Sequence, residues 1–283
     1  MLMKPSREAV ERIVRMALEE DAPWGDVTSQ TLIPAGRLIV AELRAREAGI
    51  LCGEDLFAAA MQLTGPEIVV EFVVHDGASF AAGDLLATVR GKARAVMQAE
   101  RVGLNFVQRL SGIAALTSQY VAAAAGTKAR IVDTRKTTPG LRLFERYAVR
   151  CGGGGNHRFS LSDAILAKDN HLAALAGDEL TAVLKAARAK VPHTMHIEVE
   201  VDRLDQIAAV VTAGVDTIML DNFSTVDLIA GVEMIGGRCL VEASGGVTLE
   251  RVGEIAGAGV DFISVGALTS AYRALDMGLD IEA

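Results

Sequence analysis

Aromatic side chains are scarce: they make up 4% of 283 residues, with a single tryptophan, which leaves little for stacking nucleic-acid bases. Cysteine is scarce too. Cys52, Cys151 and Cys239 are odd in number, widely spaced and without a C-x-x-C pairing, so the sequence predicts reduced thiols, with neither a disulfide framework nor a zinc site. No apolar run reaches the roughly 18 residues that a membrane span needs, and the N-terminal MLMKPSREAVERIV lacks the apolar centre of a secretion signal. Positive charge is also in deficit. A balance of 28 Lys and Arg against 36 Asp and Glu gives a formal charge of −8, which argues against a nucleic-acid partner. These absences point to a cytoplasmic protein without membrane or nucleic-acid partners, and 51% hydrophobic residues suffice for a sizeable core.

Against that acidic background, one stretch concentrates cations. From Arg135 to Arg158 there are six (Arg135, Lys136, Arg142, Arg146, Arg150, Arg158) against one acid, Glu145, and Lys168 follows shortly after. The stretch contains Gly152-Gly153-Gly154-Gly155 and then Asn156-His157-Arg158. Cations around flexible glycines suit a compact, multiply anionic ligand, because Arg offers a bidentate fork and Lys a point charge. Arg142, Arg146 and Arg150 are spaced four apart and read instead as the solvated face of a helix after Pro139. The glycine run matches neither G-x-G-x-x-G nor a P-loop, and its position before Asn156-His157-Arg158 favours a ligand loop over a helix stop.

The first hundred or so residues read as a mixed α+β unit. Val10, Ile13, Val14, Ala17 and Leu18 recur at helical spacing behind Ser6 as N-cap, and strands are predicted over 38–46, 68–74 and 85–90. A long helix is predicted over about 92–121. After it, short apolar runs at 130–134, 164–168, 196–201, 217–220, 239–242 and 262–265 alternate with helical patterns, which implies a parallel sheet. Nearly all of these strands end in polar or glycine residues, as active-site strands of a (β/α) barrel do; six is short of eight, so the barrel is expected to be incomplete. Glu198 and Glu200 alternate along one strand and share a face. With Asp221 they could hold ribose hydroxyls or Mg²⁺, or stabilise a cationic transition state. Ser244-Gly245-Gly246 and Gly266-Ala267-Leu268 follow the last two strands, where phosphate cradles are common. His157 suits a carboxylate or a proton transfer, His171 suits loop orientation, and His75, His193 and His196 have no evident partners.

The combined string Asp133-Thr-Arg-Lys-Thr, Pro139-Gly140, Tyr147-Ala-Val, Asn156-His157-Arg158 and Lys168-Asp-Asn-His171 resembles quinolinate phosphoribosyltransferases. The likeness extends through Gly25-Asp26-Val27-Thr28, Glu100-Arg101, Glu198-Val-Glu-Val201, Leu220-Asp221-Asn222-Phe223 and Ser244-Gly245-Gly246 to Val260–Thr269. Ala22-Pro23-Trp24 and Ala167 depart from it without touching a matched functional position. The resemblance implies an α/β fold: an N-terminal α/β sandwich domain (1–115, with the tail 270–283 placed against it) and an open α/β barrel (116–269). It also implies a pentosyltransferase homodimer, higher assemblies left open, that converts quinolinate and phosphoribosyl pyrophosphate with Mg²⁺ into nicotinate mononucleotide, pyrophosphate and CO2 in de novo NAD synthesis.

Carried over by residue, Arg135, His157, Arg158 and Lys168 would take the quinolinate carboxylates, with Thr134 and Thr137 beside them. Arg101 would come from the partner subunit. Lys136 would face phosphate groups, and Glu200 and Asp221 would serve ribose and metal; these three form the expected catalytic set. Ser244, Gly245, Gly246, Gly266, Ala267 and Leu268 would cradle phosphate. The alternatives are a molybdenum-associated paralogue of the same fold, a Schiff-base lyase using Lys168, and a non-enzymatic phosphate-binding module.

Overall fold

The computed structural model describes residues 4–175 and 179–281. The chain forms two compact units: Met1–Ser118 with Thr138–Gly153 and Ala271–Ala283, and Gln119–Thr137 with Gly154–Ser270. The segment 138–153, assigned by sequence to the barrel, thus belongs to the first unit. Local periodicity shows that a stretch is helical without saying whose core it joins.

The first unit contains helices α1 (Arg7–Asp21), α2 (Val27–Leu32), α3 (Glu54–Thr64), α4 (Ala93–Ala123, continuing beyond the unit) and α5 (Arg142–Cys151). Its strands are β1 (Leu38–Ala45), β2 (Gly49–Ile50), β3 (Val69–Phe72), β4 (Ser79–Phe80) and β5 (Leu85–Lys92), joined by the late strand Met277–Ile281. The main sheet is antiparallel, in the order Met277–Ile281, β1, β5, β3. Along β1 the buried residues Ala41, Leu43 and Ala45 alternate with more exposed ones, as expected when one face of a sheet covers a core. Val96, Ala99, Val102, Phe106 and Leu110 recur at helical spacing along α4, and all are buried. Ser6 caps α1 by accepting from the Ala9 amide, and Asp26 caps α2 by accepting from that of Ser29.

Helix α5 corrects one expectation. Arg142, Arg146 and Arg150 do not form a solvated face: Arg146 is buried and the other two are half-buried. Glu145 beside them is fully buried, where it is ion-paired with Arg109 and accepts from the Thr138 amide. The glycine run is likewise structural. Gly152 ends α5, and a Cβ there would lie 2.3 Å from the Ala114 carbonyl oxygen of α4, which excludes any other residue at that position.

The second unit is built on β6 (Arg130–Val132), β7 (Ile165–Ala167), β8 (Ile197–Val201), β9 (Thr217–Asp221), β10 (Leu240–Ser244) and β11 (Phe262–Ser264). Helices α6 (Asp169–Ala174), α7 (Leu180–Lys190), α8 (Ile207–Ala213), α9 (Thr225–Ile235), α10 (Leu249–Gly257) and the short Ala267–Ser270 alternate with them. The sheet is parallel in the order β6-β11-β10-β9-β8-β7. This is the cyclic order of a barrel, closed between β11 and β6 and open between β6 and β7, as the sequence predicted. Ile197, Val199 and Val201 are buried on one side of β8, which turns Glu198 and Glu200 to the other. Among the described residues no helix is long and apolar enough to cross a membrane.

Candidate active site

A cavity of about 520 Å³ lies at the C-terminal ends of the second unit's strands. Each strand contributes from its end: Thr134, Arg135 and Lys136 follow β6, Lys168 follows β7, Glu200 is near the end of β8, Asp221 and Ser244 close β9 and β10, and Ser264 closes β11. His157, Arg158, Asn222, Glu242, Gly245 and Gly246 complete the polar lining. Four cations, Arg135, Lys136, Arg158 and Lys168, thus share the lining of one space with the carboxylates Glu200 and Asp221. In a recess with low-dielectric walls, such charges attract an anion far more strongly than they would in open water.

Most of these side chains are already tethered. Lys168 Nζ pairs with Glu200 Oε2 at 2.5 Å. The backbone amide of Lys168 donates to His171 Nδ1 (3.0 Å), so His171 orders this loop as expected. Arg158 Nη1 donates to the Ala164 carbonyl (3.0 Å), and burial together with the charge of Arg135 lowers the pKa of the Arg158 guanidinium. Asp221 Oδ2 accepts from Asn222 Nδ2 (2.6 Å), and Asn222 has φ +59°. Gly245 (φ +82°) lies against it: a Cβ at Gly245 would sit 2.3 Å from Asn222 Oδ1.

Below the cations the barrel interior is acidic. Glu198 and Glu242 are each 3% exposed, and one oxygen of each, Oε1, has no hydrogen-bond partner among the described residues. Their Oε2 atoms face His157 Nε2 at 3.0 and 3.4 Å. Burial and the charge of Glu242 raise the Glu198 pKa to about 6, against the lowering effect of His157. For His157 itself burial acts downward, but the two carboxylates outweigh it and push its pKa up to about 10. A fixed donor opposes a second ring proton, because the Arg158 backbone amide donates to His157 Nδ1 at 2.7 Å. A backbone amide cannot turn its hydrogen away, so this contact makes Nδ1 the acceptor and leaves Nε2 to donate to the carboxylates.

The remaining predicted site residues lie outside the cavity lining. Thr137 is adjacent, its amide donating to the Arg135 carbonyl (2.9 Å). Gly266 lies against Lys136, whose Cδ would be 3.0 Å from a Cβ there. Ala267 opens a short helix and Leu268 is fully buried, so Leu268 can offer only its backbone. Arg101 is exposed on α4, in the first unit. None of Gly152–Gly155 lines the cavity; Gly155 pairs with Val132 of β6 instead. His75 and His196, expected to lack partners, have them: His75 Nδ1 meets Glu54 at 3.0 Å and His196 Nε2 meets Thr217 Oγ1 at 2.9 Å. Asp133, Glu242 and Ser264 are among the polar residues at the predicted strand ends, but the expected site did not include them. Glu242 was findable, because it stands two residues before Ser244 and so shares its face.

Residues 113–280 match the quinolinate phosphoribosyl transferase C-terminal domain, and residues 26–111 match the N-terminal domain of the same family. The chain belongs to the quinolinate phosphoribosyl transferase family. A nicotinate-nucleotide pyrophosphorylase [carboxylating] from Mycobacterium leprae is 42% identical over 99% of this chain and 100% of its own length. A probable one from Bacillus subtilis is 40% identical over 93% of this chain and 90% of its own length. The structure of the nicotinate-nucleotide pyrophosphorylase from Francisella tularensis superposes with a TM-score of 0.93 at 37% identity, covering 100% of this chain and 99% of that one. The cavity lies wholly within the part matched by the family's C-terminal domain.

Proposed function

We propose that the chain transfers the 5-phosphoribosyl group of phosphoribosyl pyrophosphate to quinolinate with decarboxylation, giving nicotinate mononucleotide, pyrophosphate and CO2 in NAD biosynthesis. The observation that carries the reading is the grouping of Arg135, Lys136, Arg158 and Lys168 with Glu200 and Asp221 in one strand-end cavity. A dicarboxylate and a ribose bearing a phosphate and a pyrophosphate need that cation density, while the ribose, which becomes cationic at C1, needs the carboxylates.

Arg135, Arg158 and Lys168 hold the two carboxylates of the pyridine, with Thr134 and Thr137 beside them. Lys136 and the backbone of Ser244–Gly246 and Gly266–Leu268 receive phosphate groups. Glu200 and Asp221 are oxygen donors on neighbouring strands, so they fit Mg²⁺, which binds through one or two carboxylates plus substrate phosphates. When bound, Mg²⁺ would neutralise charge on the departing pyrophosphate.

The chain's own residues do the rest. The C1–oxygen bond breaks, pyrophosphate carries off the electron pair, and Glu200 and Asp221 stabilise the positive charge left on the ribose. Arg135, Arg158 and Lys168 hold the ring with its nitrogen directed at C1, so the lone pair forms the new bond. The alkylated ring is cationic, so the bond from C2 to its carboxylate breaks towards the ring, CO2 leaves, and C2 takes up a proton. Lys168 is engaged with Glu200 in an ion pair, which suits a binding role better than that of a Schiff-base nucleophile.

Arg101, exposed on α4, is assigned to the site of a partner subunit in a homodimer. The test is turnover of quinolinate with phosphoribosyl pyrophosphate and Mg²⁺. Nicotinate mononucleotide is expected from quinolinate and not from nicotinate, which lacks the second carboxylate; equal turnover of the two would contradict the reading.

A further inference from the structure

His157 was expected from sequence to bind a substrate carboxylate, yet both of its ring nitrogens are engaged within the protein. Nδ1 accepts the Arg158 backbone amide, and Nε2 donates to Glu198 Oε2 with Glu242 Oε2 close by. The backbone around it is also held. The His157 amide donates to Asp133 Oδ1 (2.8 Å) and Asn156 Nδ2 to Asp133 Oδ2 (2.6 Å). Gly155 exchanges backbone bonds with β6, its amide donating to Ile131 (2.7 Å) and its carbonyl accepting from Asp133 (3.2 Å). The segment 155–158 is therefore a strap added to the free edge of β6, beside the gap in the barrel. The His157 ring ties that strap to β8 through Glu198 and to β10 through Glu242.

Two carboxylates this deeply buried and this close together are unfavourable unless a shared donor offsets them, and among the described residues both face His157 Nε2. A metal ion does not account for the cluster. A histidine that binds a metal through Nε2 needs a proton on Nδ1 to donate onward, and Nδ1 is the atom that receives the Arg158 amide.

We propose that His157, Glu198 and Glu242 are positioning residues that fix the Arg158 backbone, and through it the direction of its guanidinium, while His157 itself does not touch the dicarboxylate. The inference rests on the proposed quinolinate site, since Arg158 is one of its carboxylate ligands. Substrate binding then depends on a chain of contacts running from β8 and β10 through the imidazole to the strap, and His157 and Glu242 themselves line the cavity.

Two measurements test it. Nitrogen-isotope NMR of the wild-type protein, with the His157 signals assigned by their loss in His157→Gln, should show a protonated Nε2 and an unprotonated Nδ1. Adding quinolinate alone should leave that pattern in place. A proton on Nδ1, or a change of tautomer on adding quinolinate, would overturn the proposal. In kinetics, Glu242→Gln and His157→Gln should each raise the KM for quinolinate by about 10- to 100-fold, as misplacement of a ligand-holding group does. The double variant should be no worse than the poorer single one, and the KM for phosphoribosyl pyrophosphate should stay within about threefold in all of them. If Glu242→Gln leaves the quinolinate KM unchanged while His157→Gln raises it, His157 is a direct ligand and the proposal fails. The NMR result does not depend on turnover, so a wild-type protein inactive on quinolinate would refute the proposed function without deciding the tautomer.

Discussion

Gly245 is a position where one residue type alone fits. Its φ of +82° is in the left-handed region, and a Cβ would meet the Asn222 side-chain oxygen and backbone nitrogen at 2.3 and 2.8 Å. Gly245→Ala is therefore expected to lower stability by about 1–3 kcal/mol, checked by denaturant titration, and to raise the KM for phosphoribosyl pyrophosphate. The same residue-by-residue logic applies to the cations. A hydrogen bond to a charged group contributes about 1.5–3 kcal/mol, so Arg135→Ala and Lys168→Ala should each lower kcat/KM for quinolinate by roughly 10- to 100-fold in steady-state assays. Near-normal turnover by both would remove them from the site. These residues were legible because each stands at the end of a strand, where backbone direction alone points a side chain into the cavity. The buried partnerships of Glu242 and Asp133 were not, since they depend on which strands are neighbours, and a single strand's pattern does not record that.

At the scale of elements, α3 shows how a distant residue completes a helix. Its N-cap, Gly53, has no side chain, and Asp76 supplies the missing acceptor: Oδ1 receives the Gly53 and Glu54 amides at 2.8 and 3.2 Å, and Oδ2 receives the Tyr147 hydroxyl at 3.0 Å. Burial, with the nearby Glu54 charge adding to it, raises the Asp76 pKa to about 6 from 3.8, despite the opposing effect of those donors. The folded state therefore holds this proton more tightly than the unfolded chain does. The resulting stabilisation is full below about pH 3.8 and is lost as pH rises through about 6. Asp76→Asn has no such titration, so its stability relative to the wild type should improve between pH 4 and pH 7, which denaturant unfolding at the two pH values measures. A constant difference would mean that the carboxyl is not perturbed.

None of this capping was visible in the sequence, because Gly53 and Asp76 are far apart and neither pattern names the other. The strands fared better. The six runs ending in polar residues all became strands of one parallel sheet, since alternation and end chemistry are local properties. The arginines of α5 were misread for the complementary reason: four-residue spacing identifies a face, but whether water or protein covers it is decided elsewhere.

For the whole molecule, the sequence conveyed two domains and an open barrel but not the excursion of 138–153 into the first unit, nor that Cys52 and Cys151 lie together there beside Asp76. Those are long-range outcomes of folding. The assembly prediction belongs at this scale as well. If Arg101 acts in a partner's site, Arg101→Ala and Lys168→Ala proteins should each be impaired alone and regain activity when mixed and allowed to exchange subunits. In a hybrid dimer both changes fall in one site and leave the other intact. Hybrids seen by native mass spectrometry without any recovery of activity would place Arg101 outside the site.

The central claim is the coupling of phosphoribosyl transfer to loss of one particular carboxylate. The most direct measurement uses quinolinate carbon-labelled either at its 2-carboxylate or at its 3-carboxylate, with phosphoribosyl pyrophosphate and Mg²⁺. The account predicts that the 2-carboxylate label leaves as CO2 in step with nicotinate mononucleotide formation, and that the 3-carboxylate label stays in the nucleotide. Release of neither label, or release that does not require phosphoribosyl pyrophosphate, would contradict it.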